Sequence, residues 1–216
     1  MVAERSAAGE GRRQSPINFR TRPAYTSHMS RPGVRANVPY TYEEYCYLPN
    51  DGRRYEIVEG ELYVTPSPSS THQTVSRRLQ FALMTQLEIP GLAMVYNAPF
   101  DIILAETSVV QPDLTIIRKS RRDNISKRGF EGPPDVVVEI LSASTRGNDV
   151  FLKKAAYARA GVPEYWIVDP GPGHIEVFSL KDVGYDQGVL FDRAATLTSP
   201  SFPEVAIPLA PIFEPL

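Results

Sequence analysis

The chain has 216 residues, 42% hydrophobic and 22% charged, with a formal net charge of −2. That is enough polypeptide for one domain with a sizeable core, and no apolar run approaches the roughly 20 residues a membrane helix needs. The composition excludes the uniformly basic surface of a tight non-specific DNA binder, and Cys46, the single cysteine, excludes a disulfide framework.

A lone thiol and an N-terminus without the apolar centre of a signal peptide fit a cytoplasmic protein. Charge is unevenly spread: residues 1–40 carry seven arginines against two glutamates, a formal +5, which leaves −7 for the remainder. This segment is rich in Arg, Ser, Gly and Pro and lacks both helical and strand periods. Residues 1–40 therefore read as a disordered basic extension, ahead of a domain over residues 41–216. The extension is either a nucleic-acid arm or an unstructured appendage, and Met29 offers an alternative start.

Thr41 with Glu44 forms a capping box that opens a short helix through TYEEYCYL. RRYEIVEGELYVTP predicts a hairpin turning at Glu59-Gly60. From Thr71 to Leu87, Val75, Leu79, Leu83 and Leu87 recur every four residues, the period of an amphipathic helix packing on a sheet. LAMVYNAPFDIILAETSVVQPDLTIIRKS supplies two or three strands, and RKSRRDNISKR, Arg118 to Arg128, is the one local basic stretch of the body. PDVVVEILS is so continuously apolar that it predicts a central strand covered on both faces. A helix over Asn148 to Ala160 should end at Gly161. EYWIVDP, HIEVFSL and GVLFD add strands, and the Pro-rich tail from Ser199 should run over the surface. The order predicts an α/β or α+β domain around a central mixed β-sheet flanked by helices.

Two acids interrupt apolar strands. Burying an ionised carboxylate costs several kcal/mol unless a cation or hydrogen bonds compensate it. Glu139 shares a strand face with Val137 and Leu141, so it cannot turn to solvent if its strand is central. It is a metal ligand, half of an internal ion pair, or a glutamate at a strand end that reaches water. Asp113 follows Pro112, which favours a strand edge or start, and reads as a site acid or a turn residue. Oxygen donors of this kind suit magnesium. Lys153 stands four residues after Asp149, as a surface pair or as an ammonium stabilising charge on a phosphate. Its neighbour Lys154 points elsewhere. His72 opens the long helix as a loop cap, proton carrier or phosphate contact, and Tyr165 and Trp166 read as core packing.

Five blocks, PYTYEEY, GRRYEIVEGELYVTPSPSSTHQ, VVQPDLTII, PPDVVVEILSAST and KKAAYARAGVPEYWIVDP, together resemble the Uma-type family of putative restriction endonucleases, within the PD-(D/E)XK nuclease superfamily. The resemblance spans roughly residues 41 to 212. It implies a restriction-endonuclease-like fold and hydrolysis of DNA phosphodiesters with magnesium, or manganese in its place, as the ion. Asp113 matches the family's Pro-Asp acid, Glu139 the acid of its Glu-x-Leu-Ser strand, Lys153 its helix lysine, and Glu56 its Tyr-Glu position as an additional metal ligand. Glu59 and Glu61 are rival acids on the same hairpin. The superfamily's usual lysine lies two residues after the second acid, where this chain has Leu141, so Lys153 must reach the acids from a helix. Many nucleases of this fold act as homodimers. The alternative is a nuclease-fold protein that binds nucleic acid or a protein partner without cutting, or a structural dimer whose acids are paired internally.

Overall fold

The computed structural model describes residues 38–142 and 148–215. The expected disorder of the N-terminal extension thus lies outside the described residues, apart from positions 38–40, and the side chain of Asp149, on which the expected pair with Lys153 rests, is not described either. Helix α1 (Tyr42–Tyr45) precedes a hairpin of β1 (Arg54–Val58) and β2 (Glu61–Thr65), then α2 (Ser70–Leu83), which continues as a π-helical turn over Met84–Glu88. Strands β3 (Ala93–Asn97), β4 (Ile102–Ala105), β5 (Ser108–Val110) and β6 (Leu114–Arg118) follow. A 3-10 turn (Lys119–Asn124), β7 (Ile125–Ser126), β8 (Gly129–Glu131) and β9 (Val136–Ile140) lead to α3 (Asn148–Ala160). The chain finishes with β10 (Glu164–Asp169), β11 (His174–Lys181), β12 (Gly184–Tyr185), β13 (Val189–Phe191) and the ribbon β14 (Thr196–Thr198) and β15 (Ala206–Pro208).

The expected mixed sheet is present, in the order β12-β11-β10-β9-β6-β3 with β13 also on β11, and β9 and β10 run parallel. A second mixed sheet, β2-β1-β5-β4-β8-β7, stands beside it, which the sequence pattern did not separate from the first. The chain passes from the second sheet to the first through Gln111-Pro112-Asp113, between β5 and β6. Proline has no N–H for a ladder, so strand pairing stops there and the chain can change sheets.

Strand β9 lies between β6 and β10, and its alternation has the predicted consequence. Val136, Val138 and Ile140 pack on one face with Val75, Leu79, Leu83 and Leu87 of the α2 segment. Val137 packs on the other with Tyr157, Tyr165 and residues of the second sheet such as Val58 and Ile102. Leu79, Leu83 and Leu87 are fully buried, each stabilising by roughly 1.5–3 kcal/mol. The four-residue leucine period is therefore the docking face of α2.

The hairpin turns at Glu59 and Gly60, both with positive φ (53° and 85°), as a two-residue turn of the I′ kind requires. A side chain at Gly60 would meet Pro39 at 2.4 Å. The Thr41–Glu44 capping box is formed, and α3 ends at Gly161 with φ 84°.

The tail departs from expectation. Phe202, Val205, Ile207, Leu209, Ile212 and Phe213 are buried in the main core rather than laid over the surface. Apolar side chains between the prolines drive this, and the buried carboxylate of Glu164 fastens it. Glu164 accepts from Trp166 Nε1 at 2.5 Å, from the Ser199 hydroxyl at 2.9 Å and from the Ser201 amide at 2.7 Å. Glu164→Ala leaves these donors without an acceptor, and equilibrium urea unfolding should show a loss of about 3 kcal/mol or more. A loss under about 1 kcal/mol would mean the tail is held by apolar packing alone.

Candidate active site

Four elements bring the sequence-selected residues to one pocket. Glu56 comes from β1, Asp113 from the residue before β6, Glu139 from β9 and Lys153 from α3, and all four line a single cavity of about 350 Å³ together with His72. Asp113 and Glu139 are cross-strand neighbours, because Leu114 pairs with Val138 in the antiparallel β6–β9 ladder.

Lys153 reaches the acids from its helix. Its Nζ lies 2.9 Å from both carboxylate oxygens of Glu56 and 3.1 Å from Oε1 of Glu139. Leu141 stands where the superfamily pattern has its lysine, and the helix residue places an ammonium beside Glu139 instead. Glu56 is 1% exposed and fully engaged: Oε1 also accepts from the Gln111 amide at 2.7 Å and Oε2 from the Thr65 hydroxyl at 3.1 Å. Tyr157, one helical turn after Lys153, donates its hydroxyl to Oε1 of Glu139 at 2.6 Å. Oε2 of Glu139 has no hydrogen-bond partner among the described residues.

Asp113 forms a second cluster. Its Oδ2 accepts from the Ile140 amide at 2.9 Å and sits 3.0 Å from Nε2 of His72. An ionised carboxylate can only accept, so the imidazole holds its proton on Nε2. Oδ1 has a longer contact, 3.4 Å, with the Arg54 guanidinium, which also donates to the Gln111 carbonyl. His72 is itself placed by the helix start, where Ser69 caps its amide.

These contacts separate the two acids electrostatically. Burial pushes the Asp113 carboxyl up, but His72, the Ile140 amide and Arg54 together hold it below the usual aspartate range. Burial pushes Glu139 up, Lys153 and Tyr157 pull it back and Asp113 and Glu56 push it further, for a balance of about 7. Burial alone would lower Lys153, yet the Glu139 and Glu56 carboxylates outweigh it and raise the ammonium above its ordinary value. Lys153 therefore stays charged at neutral pH.

Among the described residues no group of three or more His, Cys, Asp or Glu side chains is gathered to hold a metal ion. The least engaged oxygens are Oδ1 of Asp113, which has only the 3.4 Å contact with Arg54, and Oε2 of Glu139. Magnesium is commonly bound through one or two carboxylates with water and phosphate completing its shell, and this pair meets that need. The engaged oxygens of Glu56 do not.

The rival hairpin acids lie elsewhere: Glu59 pairs with Arg159, and Glu61 accepts from the Tyr63 hydroxyl at 2.8 Å. Lys154 lies over the Phe178 ring, 3.2 Å from its centroid. Sequence reasoning missed Arg54 and gave Tyr157 no task. Both carried a spacing signal, Arg54 two residues before Glu56 on the same strand face and Tyr157 four after Lys153 on the same helix face.

A family model, Uma2, described as a putative restriction endonuclease, matches residues 41–210. Among solved structures, the crystal structure of a putative nuclease belonging to DUF820 from Anabaena variabilis aligns with a TM-score of 0.69 at 20% identity, covering 81% of this chain and 98% of that one. At that identity the likeness establishes the fold. No curated protein matches the chain.

A carboxyl raised in the folded state contributes its full stability below its unfolded value, near 4.5, and loses it as pH rises through about 7. Glu139→Gln removes that titration. Across this window the wild type should lose on the order of 1–3 kcal/mol relative to the glutamine variant, read from paired thermal melts. Parallel stability curves would contradict the burial-driven shift.

Proposed function

The chain belongs to the Uma2 family, and on that premise we propose that it is a metal-dependent endonuclease that hydrolyses DNA phosphodiester bonds in the pocket of Asp113, Glu139 and Lys153. The observation that carries this reading is the ammonium of Lys153 within 3.1 Å of Glu139, because a cation beside the acids can stabilise charge building on a scissile phosphate and the strand position the superfamily uses for its lysine is occupied by Leu141.

Asp113 and Glu139 would hold magnesium, or manganese, through their remaining oxygens. A bound divalent ion supplies Lewis acidity and an acidified water. Lys153, fixed as an ammonium, lends positive charge to the oxygens of the scissile phosphate as negative charge builds there. Glu56 and Tyr157 are positioning residues: Glu56 holds Lys153 in place, and Tyr157 orients Glu139. His72 and the Ile140 amide fix Asp113, leaving its second oxygen turned to the pocket. Cutting both strands of a duplex would call for two copies of the chain, each bringing one such site, and a cytoplasmic setting suits a nuclease acting on DNA.

A second reading, a nuclease-fold protein that binds without cutting, draws support from the internal pairing of Lys153 with both glutamates. Metal distinguishes the two: calorimetry that detects no magnesium or manganese binding at millimolar concentrations would favour it.

Oligonucleotide cleavage with magnesium tests the proposal directly. Asp113→Ala, Glu139→Ala and Lys153→Met should each lower turnover by about 100-fold or more, with circular dichroism confirming that the variants fold. Equal rates in wild type and all three variants would refute it.

A further inference from the structure

On the basis of the nuclease reading above, we infer that the pocket receives an unpaired nucleotide of a DNA single strand rather than the backbone of an intact duplex. The acids and Lys153 do not lie on an open surface. They sit in a cavity of about 350 Å³ whose walls include Val58, Tyr63, Leu141 and Leu152, a volume suited to one small organic group. A duplex presents phosphates and groove edges to a protein, with its bases stacked inside. An unpaired nucleotide also presents an apolar base face, which such walls can cover.

The mouth continues the same chemistry. Val64 and Leu152 line the cavity while remaining 49% and 43% exposed. Apolar side chains left in water at the rim of a charged site offer a packing surface for a base, and aromatic stacking alone is worth about 1–3 kcal/mol per base.

The lining also holds polar atoms that lack partners. The Tyr165 side chain is fully buried, yet among the described residues its hydroxyl has no hydrogen-bond partner, and neither has Nδ1 of His72. A buried polar group left unpaired costs about 1–3 kcal/mol, and a nucleotide carries both donors and acceptors to pair with them. Meanwhile the cations lining the site among the described residues are already held. Lys153 is paired with Glu56 and Glu139, Arg54 with Asp113, and Arg159 on the same helix with Glu59. Tight duplex binding depends on cations free to displace counterions along the phosphates.

Fluorescence anisotropy without divalent metal, using labelled single-stranded DNA and the same sequence as a blunt duplex, measures the preference independently of cleavage. The single strand should bind at least about tenfold more tightly. Leu152→Ser with Val64→Ser should remove most of that preference without weakening duplex binding. Tyr165→Phe, which deletes only the unpartnered hydroxyl, should weaken single-strand binding about three- to tenfold with no fall in melting temperature. Equal or tighter duplex binding, or no binding of either, overturns the inference. Cleavage with magnesium is then scored on both substrates. A single-strand preference without cleavage overturns the nuclease reading and leaves this one standing, whereas cleavage confined to the duplex does the reverse.

Discussion

The ammonium of Lys153 between Glu56 and Glu139 is the contact around which the pocket is arranged. Two carboxylates drawn from different sheets converge on one cation, so the contact joins β1, β9 and α3 at a single point. Without that positive charge the acids would repel one another in a poorly solvated space, and removing one partner of a buried ion pair typically costs about 3–5 kcal/mol. The fold spends stability on this cluster and recovers it in the leucine face of α2 and the apolar faces of β9 and β10.

The same contact ranks the acids. Glu56 has both oxygens engaged by Lys153, the Gln111 amide and the Thr65 hydroxyl, and it acts on the site through the lysine. Asp113 is held low by His72, a backbone amide and Arg54, whereas Glu139 is pushed up by burial. Two carboxylates on neighbouring strands thus have their ionisation pushed in opposite directions because their surroundings differ, not because their chemistry does. Such a difference is common where a pocket handles phosphates and protons.

Much of this was legible beforehand because it follows from local rules. The alternation of PDVVVEILS placed Glu139 on the face of Val137 and Leu141. The four-residue leucine period identified the docking face of α2, and Thr41 with Glu44 and Gly161 marked helix ends by capping chemistry. The tail was misread as a surface run because its prolines hide the spacing of Phe202, Val205, Ile207 and Leu209. Its attachment depends on Glu164, 35 residues upstream of Ser199, a distance that no periodicity spans.

The sequence by itself determined which residues are chemically exceptional: carboxylates in apolar strands, a proline before Asp113 that favours a strand edge or start, and a lysine that must reach the acids from a helix. It could do so because side-chain direction in strands and helices repeats with fixed periods. Only the tertiary structure decided that the strands divide between two sheets, with one of the crossings at Gln111-Pro112-Asp113, and that Lys153 fills the gap between Glu56 and Glu139. It also decided that Arg54, His72 and Tyr165 border the same cavity and that Tyr157 reaches Glu139. Those outcomes depend on the packing of segments up to 97 residues apart, where distance in space is set by the docking of whole elements rather than by any local spacing.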